Sequence, residues 1–383
     1  MIARILKDEI ERLMQYFQVL VLTGPRQSGK TTLVKNILPG FAFFNLEDKV
    51  VLRQISEAPR QFLEQYAPKG IILDEAQRYP DIFSFIQVVA DEHPDYRFVL
   101  TGSNNFALMQ EITQSLAGRA ALLTLLPLSL AELHEHIGSD TDTLLFNGGY
   151  PAVWGKNIPA NDVYRNYYNT YIERDVRQLL NVKDISAFQK FIRLCAGRIG
   201  SEFNASAISN DIGVSFHTIQ EWLSVLEASY VVFRVQPFYR NIGKRLVKTP
   251  KMYFYDTGLV CFLLDIETPK QLATHPVRGM LFENMVMVDF LKSRYNLGKS
   301  PSVFFYRDKS QREVDIVQET GMNVFRAYEV KSARAFHPEF LNNLKYLKSL
   351  FGDTLTSTQV IYDGDLDTDT PENGIVNFRN VKY

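Results

Sequence analysis

The sequence predicts an α/β protein that opens on a parallel sheet wrapped by helices and closes on a second, separate α/β region. Three observations carry this. Short apolar runs alternate with helix-like stretches through the first third, a glycine-rich loop stands between the first run and the first helix-like stretch, and another set of strand-like runs follows a long helical stretch near the C-terminus. Strands separated by helices pair in parallel and are covered on both faces. The runs in the first third are Val19–Leu22, Phe41–Phe44, Ile71–Leu73, Phe98–Thr101 and Ala121–Leu126, with Thr31–Ile37 and Ile82–Ala90 helix-like between them.

The chain of 383 residues exceeds what one hydrophobic core usually serves, so two or three domains of roughly 100–200 residues each are expected. Apolar residues at 46% and charged residues at 22% exclude the disordered, collagenous and membrane classes. A formal net charge of −1 excludes a uniformly basic nucleic-acid coat, but Asp162 to Lys251 holds 13 Lys/Arg against 8 Asp/Glu, so positive charge is concentrated there. Cys195 and Cys261 have neither disulfide nor zinc spacing and read as buried thiols in a reducing compartment. Charges at Arg4, Lys7, Asp8, Glu9, Glu11 and Arg12 interrupt any signal-peptide core, and no window reaches the ~18 apolar residues of a membrane span. A cytoplasmic chain with no membrane partner is expected.

Pro127 and Asn147-Gly148-Gly149-Tyr150-Pro151 punctuate the sequence, and Thr268-Pro269 marks a second break. Three domains are expected, at 1–158, 159–268 and 269–383. There is no internal repeat, and the one biased segment is the acidic loop Asp363–Asp369.

Gly24-Pro25-Arg26-Gln27-Ser28-Gly29-Lys30-Thr31 fits the pattern G-x-x-x-x-G-K-[ST] and lies after an apolar strand and before a helix, as a phosphate-binding loop must. Glycines let backbone N–H groups turn inward on phosphates, and the next helix aims its positive dipole end at the same anion. Lys30 would reach the β- and γ-phosphates of ATP, the Thr31 hydroxyl would complete a magnesium shell, and Thr32 extends the cradle. Gly70-Ile71-Ile72-Leu73-Asp74-Glu75 is a buried strand ending in two carboxylates on opposite sides of the pleat. Asp74 is the magnesium-side residue and Glu75 the general base or water-orienter. Taken alone, such a pair reads equally as a solvated turn.

Phe98–Thr101 runs into Gly102-Ser103-Asn104-Asn105, which would set Ser103 or Asn104 beside the γ-phosphate; a plain helix cap has the same composition. Arg119, in Leu116-Ala117-Gly118-Arg119, reads either as an arginine finger on a neighbouring subunit's nucleotide, which implies a homo-oligomer, or as a salt-bridging surface arginine.

The loop Gly24 to Thr32, Leu73-Asp74-Glu75-Ala76-Gln77, Leu100-Thr101-Gly102-Ser103, Leu116 to Arg119, Leu126-Pro127-Leu128-Ser129-Leu130, Gly148 to Pro151 and Tyr171-Ile172-Glu173-Arg174-Asp175-Val176 together resemble the prokaryotic AAA-type ATPases fused to a C-terminal domain of uncharacterised function. The resemblance spans nearly the whole chain. It implies an AAA+-like P-loop fold, then a helical winged-helix domain, then a restriction-endonuclease-like domain, with ATP and Mg2+ as cofactors. It implies little about biological role.

Ile208 to Leu223 reads as helix, glycine turn and second helix, with Ile208, Ile212, Val214, Ile219 and Leu223 inward. Strand-like Val231–Val235 and Met252–Tyr255 flank the basic stretch Arg240 to Arg245, which suits a wing on a phosphate backbone through Lys244, Arg245 and Lys248. The second helix offers Ser215, His217, Thr218, Gln220 and Glu221 but no arginine for guanine edges. Structural packing accounts for the same pattern.

After the helix-like Met280–Tyr295, the strand-like runs are Val303–Tyr306, Val314–Gln318 and Phe325–Val330. Asp315 lies near the centre of one strand, and Glu329 and Lys331 share a face of the next. Two carboxylates can hold magnesium, which polarises a phosphodiester, while a lysine positions the attacking water or offsets pentavalent charge. Glu283, on the preceding helix, would add a ligand. The spacing resembles the PD-(D/E)XK nuclease core, although the aspartate that usually precedes a proline is missing. An exposed aspartate beside an ordinary Glu–Lys salt bridge fits the spacing too. The functional expectation is an ATP-hydrolysing protein acting on DNA, and the competing one a regulatory ATPase switch that engages a protein partner and cuts nothing.

Overall fold

The computed structural model of the chain describes residues 2–103, 116–136, 138, 140–176, 184–238, 249–368 and 370–383. Two compact units form: residues 1–128 with 228–230 and 294–299, and residues 129–227, 231–293 and 300–383.

The first unit is built on five parallel strands, β1 Val19–Thr23, β2 Ala42–Asn45, β3 Ile71–Asp74, β4 Phe98–Thr101 and β5 Ala120–Thr124, in the order β2-β3-β4-β1-β5. Strands β1, β3 and β4 are buried at every residue, which is why they read as unbroken apolar runs. Alternate side chains serve opposite faces. Val19, Val21, Ile71, Leu73, Phe98 and Leu100 pack with Ile82, Phe83 and Ile86 of the helix Ile82–Glu92 on one face. Leu20, Leu22, Ile72 and Val99 pack with Leu33 and Val34 of the helix Lys30–Ile37 on the other. Because all five strands run the same way, their C-terminal ends share one edge. The loops carrying Gly24, Glu75 and Ser103 leave from that edge.

The second unit begins with helices. Ala205–Ile212 and Phe216–Ala228 are joined through Gly213 at φ +84°, a left-handed conformation in which a side chain would be strained. Ile208, Ile219 and Leu223 are buried as expected, whereas Ile212 and Val214 are half-buried. An antiparallel pair follows, β6 Val232–Val235 and β7 Lys251–Phe254. The C-terminal sheet comprises β8 Val303–Arg307, β9 Glu313–Gly321, β10 Val324–Lys331, β11 Leu355–Tyr362 and β12 Gly374–Asn377, in the order β12-β11-β10-β9-β8. Strands β8, β9 and β10 form an antiparallel meander, while β10, β11 and β12 are parallel. The helix Asn342–Phe351 makes the crossover from β10 to β11 and buries Leu344 and Leu347. The long helix Arg278–Asn296 precedes this sheet in the chain. No helix among the described residues is long and apolar enough to cross a membrane.

Asp256 joins parts of this unit that lie far apart in sequence. It is 2% exposed and caps the helix Thr257–Leu263 by accepting from Gly258 N at 2.9 Å and Leu259 N at 3.3 Å. It also accepts from Gly149 N at 2.7 Å and from the Tyr164 hydroxyl at 2.6 Å. A Cβ on Gly148 would stand 2.1 Å from Asp256 Oδ1, so a glycine at this position lets the carboxylate approach. Asp256→Ala strands three buried backbone donors, while the Tyr164 hydroxyl keeps Asn147 O at 2.8 Å. Denaturant unfolding followed by the fluorescence of Trp154 and Trp222, both in the second unit, is expected to show a loss of about 3 kcal/mol.

Candidate functional site

In the first unit β1 ends at Thr23, and the chain turns through Gly24 at φ +141° to reach Gly29 at φ +97°, the N-cap of the helix Lys30–Ile37. A Cβ on Gly24 would sit 2.1 Å from Leu125 O, so no side chain fits between the loop and the strand beside it. The residues expected in the loop are all brought together. Ser28 is fully buried, and its hydroxyl has no hydrogen-bond partner, a polar atom in want of an anionic or polar ligand. Lys30 is 6% exposed and donates to Gly24 O at 2.9 Å and Pro25 O at 2.8 Å. Burial brings its ammonium down to about 8, with Glu75 and Asp74 pulling the other way.

The Thr31 hydroxyl donates to Asp74 at 2.9 and 3.1 Å, and Thr101 donates to the same carboxylate. Glu75 lies at φ +56°, left-handed for a residue with a side chain, and so turns its carboxylate out of the strand register. Gln77 donates to it at 2.5 Å and the Ser103 hydroxyl at 3.3 Å. Ser103 is thus placed at Glu75, whereas Asn104 lies outside the described residues. Arg119 forms a two-pronged pair with Asp91 at 2.7 and 3.0 Å on the surface of its own unit. Gln77 and Thr101 lie inside motifs read from the sequence, but neither was assigned a role there.

A second charged cluster lies in the second unit. Asp315 on β9 and Glu329 and Lys331 on β10 come together, with Lys331 Nζ 2.8 Å from Glu329 Oε1 and 3.9 Å from Asp315 Oδ2. Asp315 Oδ2 also accepts from Val330 N at 2.7 Å. Glu329 is 4% exposed and its Oε2 makes no hydrogen bond of good geometry, although the Asn343 amide is close enough to favour the ionised form. Burial and the neighbouring Asp315 push Glu329 up to about 8, and burial with Asp315 carries Glu283 to about 7. Asp315 is itself raised by burial, against the pull of Lys331 and Lys251.

Three members of this cluster were not anticipated. Lys251, on β7, is 3% exposed and stands 2.5 Å from Glu313 Oε1 and 3.4 Å from Glu283 Oε1. Burial opposes its charge, yet Glu283, Asp315 and Glu313 together hold the ammonium above its ordinary value. Tyr253 donates to Glu283 at 2.7 Å. The signal was period two: Lys251 and Tyr253 share a face of β7, as Glu313 and Asp315 share a face of β9. The carboxylates of Glu283, Asp315 and Glu329 do not bring one oxygen each within 4.8 Å of one another. Arg240, Lys244, Arg245 and Lys248 lie outside the described residues, as do the side chains of Glu173 to Val176.

Residues 16–134 match the family described as AAA domain. The N-terminal unit is an AAA-type P-loop ATPase domain. This ATPase domain binds and hydrolyses ATP, and it is followed by matches to two domains of unknown function, DUF8612 over residues 138–270 and DUF4143 over residues 278–381. Uncharacterised proteins of Mycobacterium bovis and Mycobacterium tuberculosis are each 28% identical over 362 residues, covering 93% of this chain and 79% of theirs. One from Haemophilus influenzae is 24% identical over 334 residues, covering 76% of this chain and 79% of its own. A Walker-type ATPase of Pyrococcus abyssi superposes with a TM-score of 0.47 at 13% identity, over 67% of this chain and 94% of that one.

The lowered value of Lys30 has a stability consequence. Between about 8 and its ordinary 10.5 the unfolded chain keeps a proton that the folded chain has shed, so stability of the ATPase domain rises with pH through that window. Below it the charge is held at a cost. Lys30→Met is therefore expected to stabilise the domain by on the order of 2 kcal/mol at neutral pH without nucleotide, and to lose the rise above pH 8. Thermal unfolding across pH 7 to 10.5 checks this; a variant with the same upward slope as the original chain contradicts it.

Proposed function

We propose that ATP hydrolysis in this chain drives a magnesium-dependent, nuclease-like C-terminal site acting on DNA, in a cytoplasmic protein of three working parts, 1–158, 159–268 and 269–383. One observation carries the reading: Asp315 and Glu329 are buried on adjacent strands of one sheet and gathered against the half-buried Lys331. Burying two carboxylates costs several kcal/mol per ion unless each is compensated, and a plain scaffold has no need of it.

In the ATPase domain Lys30 leaves the carbonyls of Gly24 and Pro25 for the phosphates, where an anion restores the full charge that burial disfavours. The buried Ser28 hydroxyl and the N-terminus of the helix Lys30–Ile37 supply further donors. Thr31 and Asp74 would hold the magnesium ion, which neutralises charge developing on the phosphate oxygens. Glu75, held by Gln77 and Ser103, takes the proton of the attacking water. Arg119 would leave Asp91 to serve a neighbouring copy's nucleotide in a homo-oligomer.

At the C-terminal site Asp315 and Glu329 would hold magnesium, and Glu283 on the adjoining helix would join them only by leaving Tyr253 and Lys251. The carboxylate oxygen of Glu329 that lacks a partner fits such a role, since a buried anionic oxygen needs a cation or a donor. The ion supplies polarisation of a phosphodiester and a more acidic water. Lys331 steadies the phosphate charge. The helices Ala205–Ile212 and Phe216–Ala228 with β6 and β7 are read as a winged helix, whose Lys244, Arg245 and Lys248 meet the DNA backbone.

A regulatory ATPase switch that engages a protein partner is the competing reading. It is favoured by Glu283, which is already engaged by Tyr253 and Lys251. Incubation of single- and double-stranded DNA with magnesium or manganese, with and without ATP, separates the two. Cleavage by the original chain that is lost in Asp315→Ala is expected. No cleavage with either metal, alongside ATPase activity that Lys30→Ala abolishes, selects the switch. For Arg119, mixing Lys30→Ala and Arg119→Ala chains is expected to restore part of the ATPase activity; mixed oligomers that stay inactive rule out action between subunits.

A further inference from the structure

We infer that Arg4 is a positioning residue of the ATP site, whose guanidinium clamps the phosphate-binding loop and fixes the Ser28–Gly29 peptide with its N–H aimed at the phosphates; this rests on the ATP-binding role of the loop and not on the C-terminal cluster. Arg4 is half-buried and stands just before the helix Leu6–Leu13. That helix buries Leu6 and Ile10, one turn apart, in a cluster with Leu33 and Val34 of the helix Lys30–Ile37. The docking brings Arg4 beside the loop. Its Nη1 donates to Ser28 O at 2.7 Å, and its Nη2 donates to Leu126 O at 2.7 Å. At the other end of the loop Gly24 lies so close to Leu125 O that no Cβ fits, so both ends are anchored on the chain leaving β5.

A trans peptide is planar, with the carbonyl of one residue and the N–H of the next pointing in opposite directions. While Arg4 holds Ser28 O, the Gly29 N–H therefore points away from Arg4. Gly29 is the N-cap of the following helix, at φ +97°. Lacking a Cβ, it takes φ of either sign at little cost, so Gly29 itself does not resist a half-turn of this peptide. Such a flip would exchange the N–H for the Ser28 carbonyl, replacing a donor to phosphate with an oxygen that repels it. Two charge-assisted hydrogen bonds from one rigid fork oppose the flip. Lys30 holds the carbonyls of Gly24 and Pro25, at the far end of the loop, and leaves this peptide to Arg4. A bound phosphate pulls the peptide the same way, so Arg4 sets the fraction of loops ready to bind and leaves the bound state as it is.

Arg4→Ala in the full chain is the test, because apparent affinity falls with the fraction of competent loops while saturated turnover does not. KM for ATP and Kd for ADP are expected to rise together by roughly tenfold, with kcat within about twofold of the original. Added methylguanidinium is expected to restore part of the lost affinity, and methylammonium is not, since a planar fork is needed to span two carbonyls. A variant that is only less well folded loses kcat at unchanged KM and gains nothing from methylguanidinium; that result overturns the proposal, as does an ADP affinity equal to the original's. Where the variant fails to fold, the original chain still decides. Ser28-Gly29 is the one Ser-Gly step in the sequence, so labelling serine at its carbonyl carbon and glycine at its nitrogen isolates this peptide in a carbonyl–amide NMR correlation. One signal is expected without nucleotide, and two signals, from both orientations of the peptide, overturn the clamp. An original chain that binds no ADP instead removes the ATP site, and the role of Arg4 with it.

Discussion

The carboxylate of Asp74 accepts from Thr31 on the helix that follows the glycine loop and from Thr101 at the end of β4, so one side chain ties three segments together at the C-terminal edge of the first sheet. The rest of the ATPase domain depends on that meeting. A buried carboxylate needs hydrogen-bond donors, and the parallel sheet provides one of them by ending β3 and β4 side by side. Thr31 and Asp74 are also the pair that would share a magnesium ion. An ion held there would find its two ligands already adjacent, which would lower the ordering cost of binding.

The two units answer the same physical problem, a buried ammonium, in opposite ways. Lys30 rests on carbonyl dipoles, and burial lowers its value to about 8. Lys251, buried, and Lys331, half-buried, rest on carboxylates and are raised. A lysine held by dipoles alone gains strongly from an arriving anion, whereas a lysine already paired has little left to gain. The first arrangement suits a residue that must bind and release phosphate in a cycle. The second suits residues that fix the charge of a site and stay where they are.

How much could be read in advance follows from the same contrast. The strands of the ATPase domain were legible because β1, β3 and β4 are covered on both faces and so carry no polar residue until their functional ends, and the glycine loop is contiguous in sequence. Strands β11 and β12 and the helix between β10 and β11 were not foreseen. Leu355–Tyr362 opens with Thr356, Ser357 and Thr358 before its apolar end, and Gly374–Asn377 is only four residues long and follows an acidic loop, so neither shows a clean period. Lys251 was hidden for a different reason. Its partners Glu283 and Glu313 lie 32 and 62 residues further along, so nothing local marks the meeting.

The helix Phe216–Ala228 shows how packing limits what a familiar motif can do. Its inner side is taken by Trp222, whose ring meets Phe188 at 5.3 Å and Phe191 at 5.5 Å, and by the buried Ile219 and Leu223. Its outer side presents Phe216, 53% exposed, and the pair His217 and Glu221 at 3.4 Å. Nearby, Arg198 is already bound to Asp211 at 2.7 Å. A face with an acid and no unengaged arginine repels phosphate and cannot make two-pronged contacts to guanine. Among the described residues, the outer side of this helix therefore offers neither a grip on phosphate nor an arginine to read base edges.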